Sequence, residues 1–217
     1  MYLKRNNINK FWPIPKKGTK YLAFATHDHY GSTPLIIIMR EVLKLVKNKK
    51  ELKKLINEKQ VQINHKYVKE TNYPLNLFDI LTLPGIKKNY KIGLSENKKI
   101  VLEEVNNEKA DLKIFKIIGK KILPKKKVQL NLMQGKNIIL EEKAKVGDSL
   151  VLNLKNNKVI KIIPMEKGKE AFVIKGRHMG AKGKILDIIE RGGKEIAKIT
   201  FGDEKINVWV KNIIVVG

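Results

Sequence analysis

The apolar positions change period several times along the chain. Over 33–47, Leu35, Ile38, Met39, Val42, Leu43 and Val46 recur at helical spacing, and Pro34 suits a first helical turn with Thr33 or Ser32 as the cap. A shorter helix is predicted over about 50–59, burying Leu52, Leu55 and Ile56 and turning Lys53, Lys54 and Lys59 outward. Val61 and Ile63 lead into a turn at Asn64-His65 and a return strand at Tyr67 or Val68, followed by Leu77, Phe78, Ile80 and Leu81. Beyond about residue 90 the helical period fades. Short strand-like pieces recur at 100–102, 112–118, 128–133, 138–140, 150–154 and 159–163, bounded by turn residues such as Gln134-Gly135, Gly147-Asp148 and Asn156-Asn157. Pro164 and 166–169 read as a junction, after which strands are expected at 171–175, 184–190, 195–201 and 206–210. The first thirty or so residues show neither period and read as an irregular extension. The pattern predicts an α+β chain, predominantly β, divided at 1–32 (basic extension), 33–92 (helix and hairpin unit), 93–165 (central small β domain) and 166–217 (C-terminal β domain).

Charge narrows the function. Lys and Arg number 46 against 21 Asp and Glu, a formal net charge of +25, and the excess is +9, +5, +4 and +7 over 1–50, 51–100, 101–150 and 151–217. A basic tail on a neutral enzyme would concentrate the excess at one end. Here every segment is cationic, as expected of a molecule that lies along a polyanion. Hydrophobic residues make up 42% of the chain, enough to bury a core. The absence of cysteine removes disulfides, thiolate zinc sites and cysteine nucleophiles, and fits a reducing, cytoplasmic location. No apolar run approaches the roughly 18–20 residues of a spanning helix. Neither a membrane nor a small-molecule substrate is an expected partner, and no cofactor is.

The sharpest local pattern begins at Ala171-Phe172-Val173-Ile174 and continues through Gly176, Arg177, His178, Gly180, Lys182, Gly183 and Lys184 to a return strand at Ile185. Glycines at this spacing allow a tight turn and a close approach, while the basic side chains crowd the loop with donors. The spacing resembles the KOW motif of small SH3-like barrels found in ribosomal and transcription-elongation proteins. Gly183-Lys184 is not a P-loop, because Ile185 follows and the earlier glycine is missing. Gly147-Asp148-Ser149-Leu150 matches a hydrolase tetrapeptide, but no D-x-x-H follows to supply the base, and it reads as a turn. His27-Asp28-His29 has metal-ligand spacing without a converging third and fourth ligand, so His27 and His29, beside Tyr30, read as solvated or base-stacking side chains. Trp12 among the N-terminal lysines reads as a stacker too. Lys125 and Lys126, with Lys127 after Pro124, become phosphate contacts if their loop faces RNA.

With these pieces in this order, the chain resembles the S-four-e family of archaeal and eukaryotic small-subunit ribosomal proteins over nearly its whole length. The resemblance is carried by Leu3-Lys4-Arg5 and Trp12, then by Pro34-Leu35 with Arg40 and Leu43, and by Val61-x-Ile63, Lys66, Tyr73-Pro74 and Phe78-Asp79-Ile80. It continues through Gln129-Leu130-Asn131-Leu132, Gly135-Lys136-Asn137 and Gly147-Asp148-Ser149 to the glycine loop and Val215-Val216-Gly217. It departs at Asn64-His65-Lys66, where the family has Asp-Gly-Lys, and at 28–32, where the family has Gly-Pro-His. The resemblance implies an S-four-type RNA-binding domain, a central β domain and a KOW-type SH3-like barrel. It implies a non-enzymatic component of the small ribosomal subunit whose partners are small-subunit rRNA and neighbouring ribosomal proteins. Lys4, Arg5, Arg40, Lys66, Lys136, Arg177, His178, Lys182 and Lys184 are the expected RNA ligands, with Gly176, Gly180 and Gly183 shaping the last loop. Two other readings stay open on sequence: a non-ribosomal KOW-containing transcription or translation factor, and an RNA-modifying enzyme anchored by the S-four-type unit.

Overall fold

The computed structural model describes residues 2–29, 31–124, 127–140, 144–202 and 204–217 and, of Glu108, the backbone only. The chain folds as two compact units, Met1–Asp111 and Leu112–Gly217. Most of the regular structure is strand, and among the described residues all the pairing is antiparallel.

In the first unit, β1 (Leu3–Lys4) pairs with β2 (Tyr21–Leu22), and β3 (Thr33–Pro34) pairs with β6 (Pro74–Leu75). A five-stranded sheet runs in the order β5-β4-β7-β8-β9, with β4 at Gln62–Ile63, β5 at Lys66–Tyr67, β7 at Ile80–Leu83, β8 at Lys88–Leu94 and β9 at Ile100–Glu104. The division expected between 92 and 93 falls inside β8. The predicted first helix is much shorter than 33–47. It consists of α1 (Leu35–Ile37) continued by a π turn over Ile38–Val42, and Leu45 N–H reaches back to the Met39 carbonyl as the chain leaves it. Pro34 flanks the helix rather than opening its first turn, and neither Ser32 nor Thr33 caps it, because Thr33 and Pro34 are committed to the β3–β6 bridge. The segment from Leu35 to Met39 is buried on every side, so its burial follows the run of apolar residues and not one stripe. The second helix, α2 (Lys49–Asn57), keeps the expected face: Leu52 and Ile56 are buried and Leu55 packs beside them. Its N-terminus is set by Asn48, whose side chain accepts from Lys50 and Glu51 N–H at 3.0 and 3.1 Å. A one-turn helix, α3 (Asn107–Ala110), closes the unit.

The first 32 residues are largely irregular, as expected, but they are not an appendage. Trp12, Ile14, Leu22 and Ala25 are buried, the first three in the same core as Leu35, Leu52 and Ile92. Long-range ties hold the segment down. Ile100 N–H donates to the Phe11 carbonyl at 3.0 Å, and Lys99 Nζ donates to the carbonyls of Lys10 and Trp12 at 2.9 and 3.0 Å.

The second unit contains two five-stranded sheets. The central one has the order β12-β11-β10-β13-β14, from β10 (Leu112–Ile122), β11 (Val128–Leu132), β12 (Asn137–Leu140), β13 (Ser149–Asn153) and β14 (Val159–Ile163). The C-terminal one has the order β18-β17-β16-β15-β19, from β15 (Glu170–Val173), β16 (Lys182–Arg191), β17 (Lys194–Phe201), β18 (Glu204–Trp209) and β19 (Ile213–Val215). β16 pairs with β15 through Lys182–Lys184 and with β17 from Ile185 onward, so one long strand serves two ladders. Ala171, Val173, Ile185, Ala197, Ile199, Ile206, Val208 and Ile213 fill the core beneath. Gly147-Asp148-Ser149 is a structural turn. Asp148 accepts from Lys145 and Met165 N–H, and Ser149 Oγ accepts from Val215 N–H at 3.0 Å, which joins the two sheets.

Candidate nucleic-acid interface

The hairpin β4–β5 shows how the sequence builds one cationic edge. Asn64 and His65 both take positive φ, 51° and 62°, the type I′ geometry that matches strand twist. Asn64 tolerates it because its side chain is fixed on both sides: Nδ2 donates to Asp79 Oδ1 at 2.6 Å and Oδ1 accepts from Ile80 N–H at 3.0 Å. His65 Nε2 lies 2.8 Å from Asp111 Oδ1, at contact distance but outside hydrogen-bond alignment. The turn leaves Lys66 exposed at the start of β5. Val68 points inward and Tyr67 outward, with Lys59 Nζ 5.9 Å from the Tyr67 ring centroid. This aromatic–cation pair is not evident from the sequence until the hairpin register is fixed. α2 adds Lys49, Lys50, Lys53 and Lys54 on its exposed face, of which Lys54 has Glu58 at 3.9 Å.

The glycine loop between β15 and β16 carries a second group. Gly176 and Gly180 take φ of 100° and 92°, so the chain reverses there without strain. Gly183 has a different reason: a Cβ on it would sit 1.6 Å from the Thr200 carbonyl oxygen. The close approach that it permits is to strand β17 of its own sheet. Arg177, Lys182 and Lys184 are exposed and His178 is half-buried. Lys182 Nζ sits 5.9 Å from the Phe172 ring centroid.

The other expected ligands are in different surroundings. Lys4 is exposed. Arg5 spends its guanidinium inside the chain, with Nε donating to Thr19 O at 2.7 Å, Nη1 to Pro15 O at 2.5 Å and Nη2 to Thr19 Oγ1 at 3.2 Å. Arg40 Nε is paired with Glu41 Oε1 at 2.8 Å. Lys136 Nζ donates to Asn157 Oδ1 at 2.6 Å. Trp12 is not a surface stacker: it is 1% exposed and its Nε1 donates to Ser32 O at 3.0 Å, so no base can reach its ring in this fold. His29 is stacked on Phe24 at 4.1 Å with Nδ1 2.9 Å from Ala25 O, whereas His27 is exposed and edge-on to Tyr73. Lys125, Lys126 and Tyr30 lie outside the described residues.

The arrangement can hold a polyanion at many points. Some exposed lysines are neutralised locally: Lys88 by Glu104 and Lys167 by Asp187, both at 2.7 Å. The hydrogen bond from Lys88 draws the Glu104 carboxyl below its usual range, and that from Lys167 does the same for Asp187. Twice as many cations as carboxylates leaves a large remainder. Among the described residues no group of three or more His, Asp or Glu is placed to hold a metal ion, and no helix is long and apolar enough to cross a membrane.

Small antiparallel sheets with lysine-bearing turns and edges define a predominantly β protein of strongly cationic surface. The model of Ribosomal family S4e matches residues 86–159. The chain is 30% identical over 220 residues to small ribosomal subunit protein eS4 of Methanothermobacter thermautotrophicus, covering 99% of this chain and 91% of that one. It is 32% identical over 203 residues to the eS4 protein of Methanocaldococcus jannaschii, covering 88% and 82%. Its fold is similar to the crystal structure of 30S ribosomal protein S4e from Thermoplasma acidophilum, with a TM-score of 0.74, 26% identity and coverage of 86% and 95%. The chain belongs to the S4e family of small-subunit ribosomal proteins.

Proposed function

We propose that the chain is a structural component of the small ribosomal subunit, binding and clamping its rRNA during assembly and translation beside neighbouring ribosomal proteins, and performing no bond chemistry. The observation that carries this is similarity to small-subunit proteins over 99% of the chain and 91% of the relative, which favours a resident subunit protein over a transient factor. In finer terms, 33–92 acts as an S-four-type RNA-binding domain, 93–165 as a central β domain and 166–217 as a KOW-type SH3-like module, with 1–32 adding a basic surface. Lys4, Lys66, Lys136, Arg177, Lys182 and Lys184 neutralise phosphates and release counterions, as do Lys125 and Lys126. Arg5 acts through the loop it closes. Contacts of this kind read backbone and shape more than sequence. The test is sedimentation of subunits from cells carrying a tagged chain. It should remain with small subunits through a high-salt wash, and its release into the supernatant would sink the proposal.

A further inference from the structure

We infer that Tyr2 and Tyr21 form a stacking platform for an unpaired nucleobase, an inference that rests on the RNA-binding reading above. Tyr2 is 63% exposed and Tyr21 44% exposed. Their ring centroids are 4.4 Å apart and their planes meet at 63°, so the two rings make an open corner and not a closed stack. Single exposed aromatics are ordinary and carry nothing. Two in mutual contact, both left largely in water by a fold that buries Trp12 and Leu22 close by in sequence, form a joint aromatic surface.

The surroundings indicate what covers it. Lys4 stands directly opposite Tyr21 in the β1–β2 pair, and Lys20 Nζ is 5.4 Å from the Tyr21 ring centroid. Residues 1–27 contain six basic side chains, Lys4, Arg5, Lys10, Lys16, Lys17 and Lys20, and no Asp or Glu. A nucleotide supplies both complements at once: a flat π face for the corner and a phosphate within reach of the lysines. The platform is also held in place before any partner arrives. Arg5 N–H donates to Lys20 O at 2.9 Å, its guanidinium fixes Pro15 and Thr19, and Leu3 and Leu22 anchor the two strands to the core. Fixing the rings beforehand lowers the ordering cost of binding.

The test uses the full chain and two fluorescein-labelled probes, a single-stranded RNA of about ten nucleotides and a duplex of equal length, read by anisotropy. Tyr21→Ala should weaken single-strand binding about 5- to 100-fold. Tyr2→Ala, at the more exposed position, should act in the same direction, while Tyr21→Phe and Tyr2→Phe stay within about twofold because a phenyl face still stacks. Duplex binding should hold steady in all four, since its bases are already stacked. Ultraviolet crosslinking of the wild-type complex should leave a nucleotide adduct on the peptide carrying Tyr2 or Tyr21. Unchanged single-strand affinity in the alanine variants, an equal loss on both probes, or adducts confined to other peptides would each overturn the platform while leaving RNA binding standing. A wild-type chain that bound neither probe would overturn the RNA-binding reading and the platform with it.

Discussion

At the scale of single residues, Lys116 shows how little of this protein's lysine excess is interchangeable. It is 5% exposed, on β10, and its Nζ donates to the carbonyls of Val210 and Ile213, the latter at 2.6 Å. Burial pushes its pKa down to about 8, with Glu195 opposing weakly, against an ordinary value near 10.5. Between those two values the unfolded chain binds more protons than the folded one, so stability rises with pH across that window. The gain is up to about 3 kcal/mol and is lost again as pH falls through 8. Urea titrations of the wild type and Lys116→Met at pH 7 and pH 9.5 should therefore differ, the wild type gaining on the variant at the higher pH. A constant gap would contradict the burial argument. Sequence could not single out Lys116, since period-2 reading of β10 cannot show that its outward face meets the segment around Val210. Trp12 was hidden for a similar reason: its partner, Ser32 O, is twenty residues away and its neighbours follow no period.

At the scale of elements, legibility tracked one-sided burial. In β11, Leu130 and Leu132 are buried while Gln129 and Asn131 stay half-exposed, and the alternation in the sequence marks the strand. β8 lies between β7 and β9 and is buried on both faces at Asn89, Tyr90, Ile92 and Gly93, so no alternation exists to be read. The first helix failed in the opposite sense, because an apolar run that suits a stripe on paper is wholly enclosed and then turns off at Lys44, with φ of 54°. The β4–β5 turn was legible in place but not in type. Its stability rests on Asn64, and Asn64→Ala removes two side-chain hydrogen bonds, takes one donor from buried Asp79 and leaves at positive φ a side chain with no bond to offset that conformation. A loss of about 2 kcal/mol is expected from urea unfolding. Asn64→Gly should recover only the part due to backbone conformation.

At the scale of the whole molecule, the net charge of +25 was the most informative quantity in the sequence, and it fixes how binding must respond to ions. Each phosphate neutralised contributes about 0.7 to 0.9 to the slope of log affinity against log salt. Arg177→Glu combined with Lys182→Glu should flatten that slope by about 1.5, in addition to weakening binding at every salt concentration. An unaltered slope, measured by anisotropy on the same RNA, would remove those two side chains from the phosphate contacts. What charge could not reveal was which cations are committed elsewhere. Arg5 closes a loop, Arg40 pairs with its neighbour, and Lys99 holds the N-terminal segment.

That last tie bears on how the protein is made. Phe11 waits for Ile100, and the Lys10 and Trp12 carbonyls wait for Lys99, partners that a translating ribosome releases some ninety residues later. During that interval the segment has its β1–β2 pair and its contacts with Ser32 and Leu35 to rely on, but not the bonds that pin residues 10–12. The carbonyls of residues 10–12 gain these partners only when the start of β9 has left the exit tunnel.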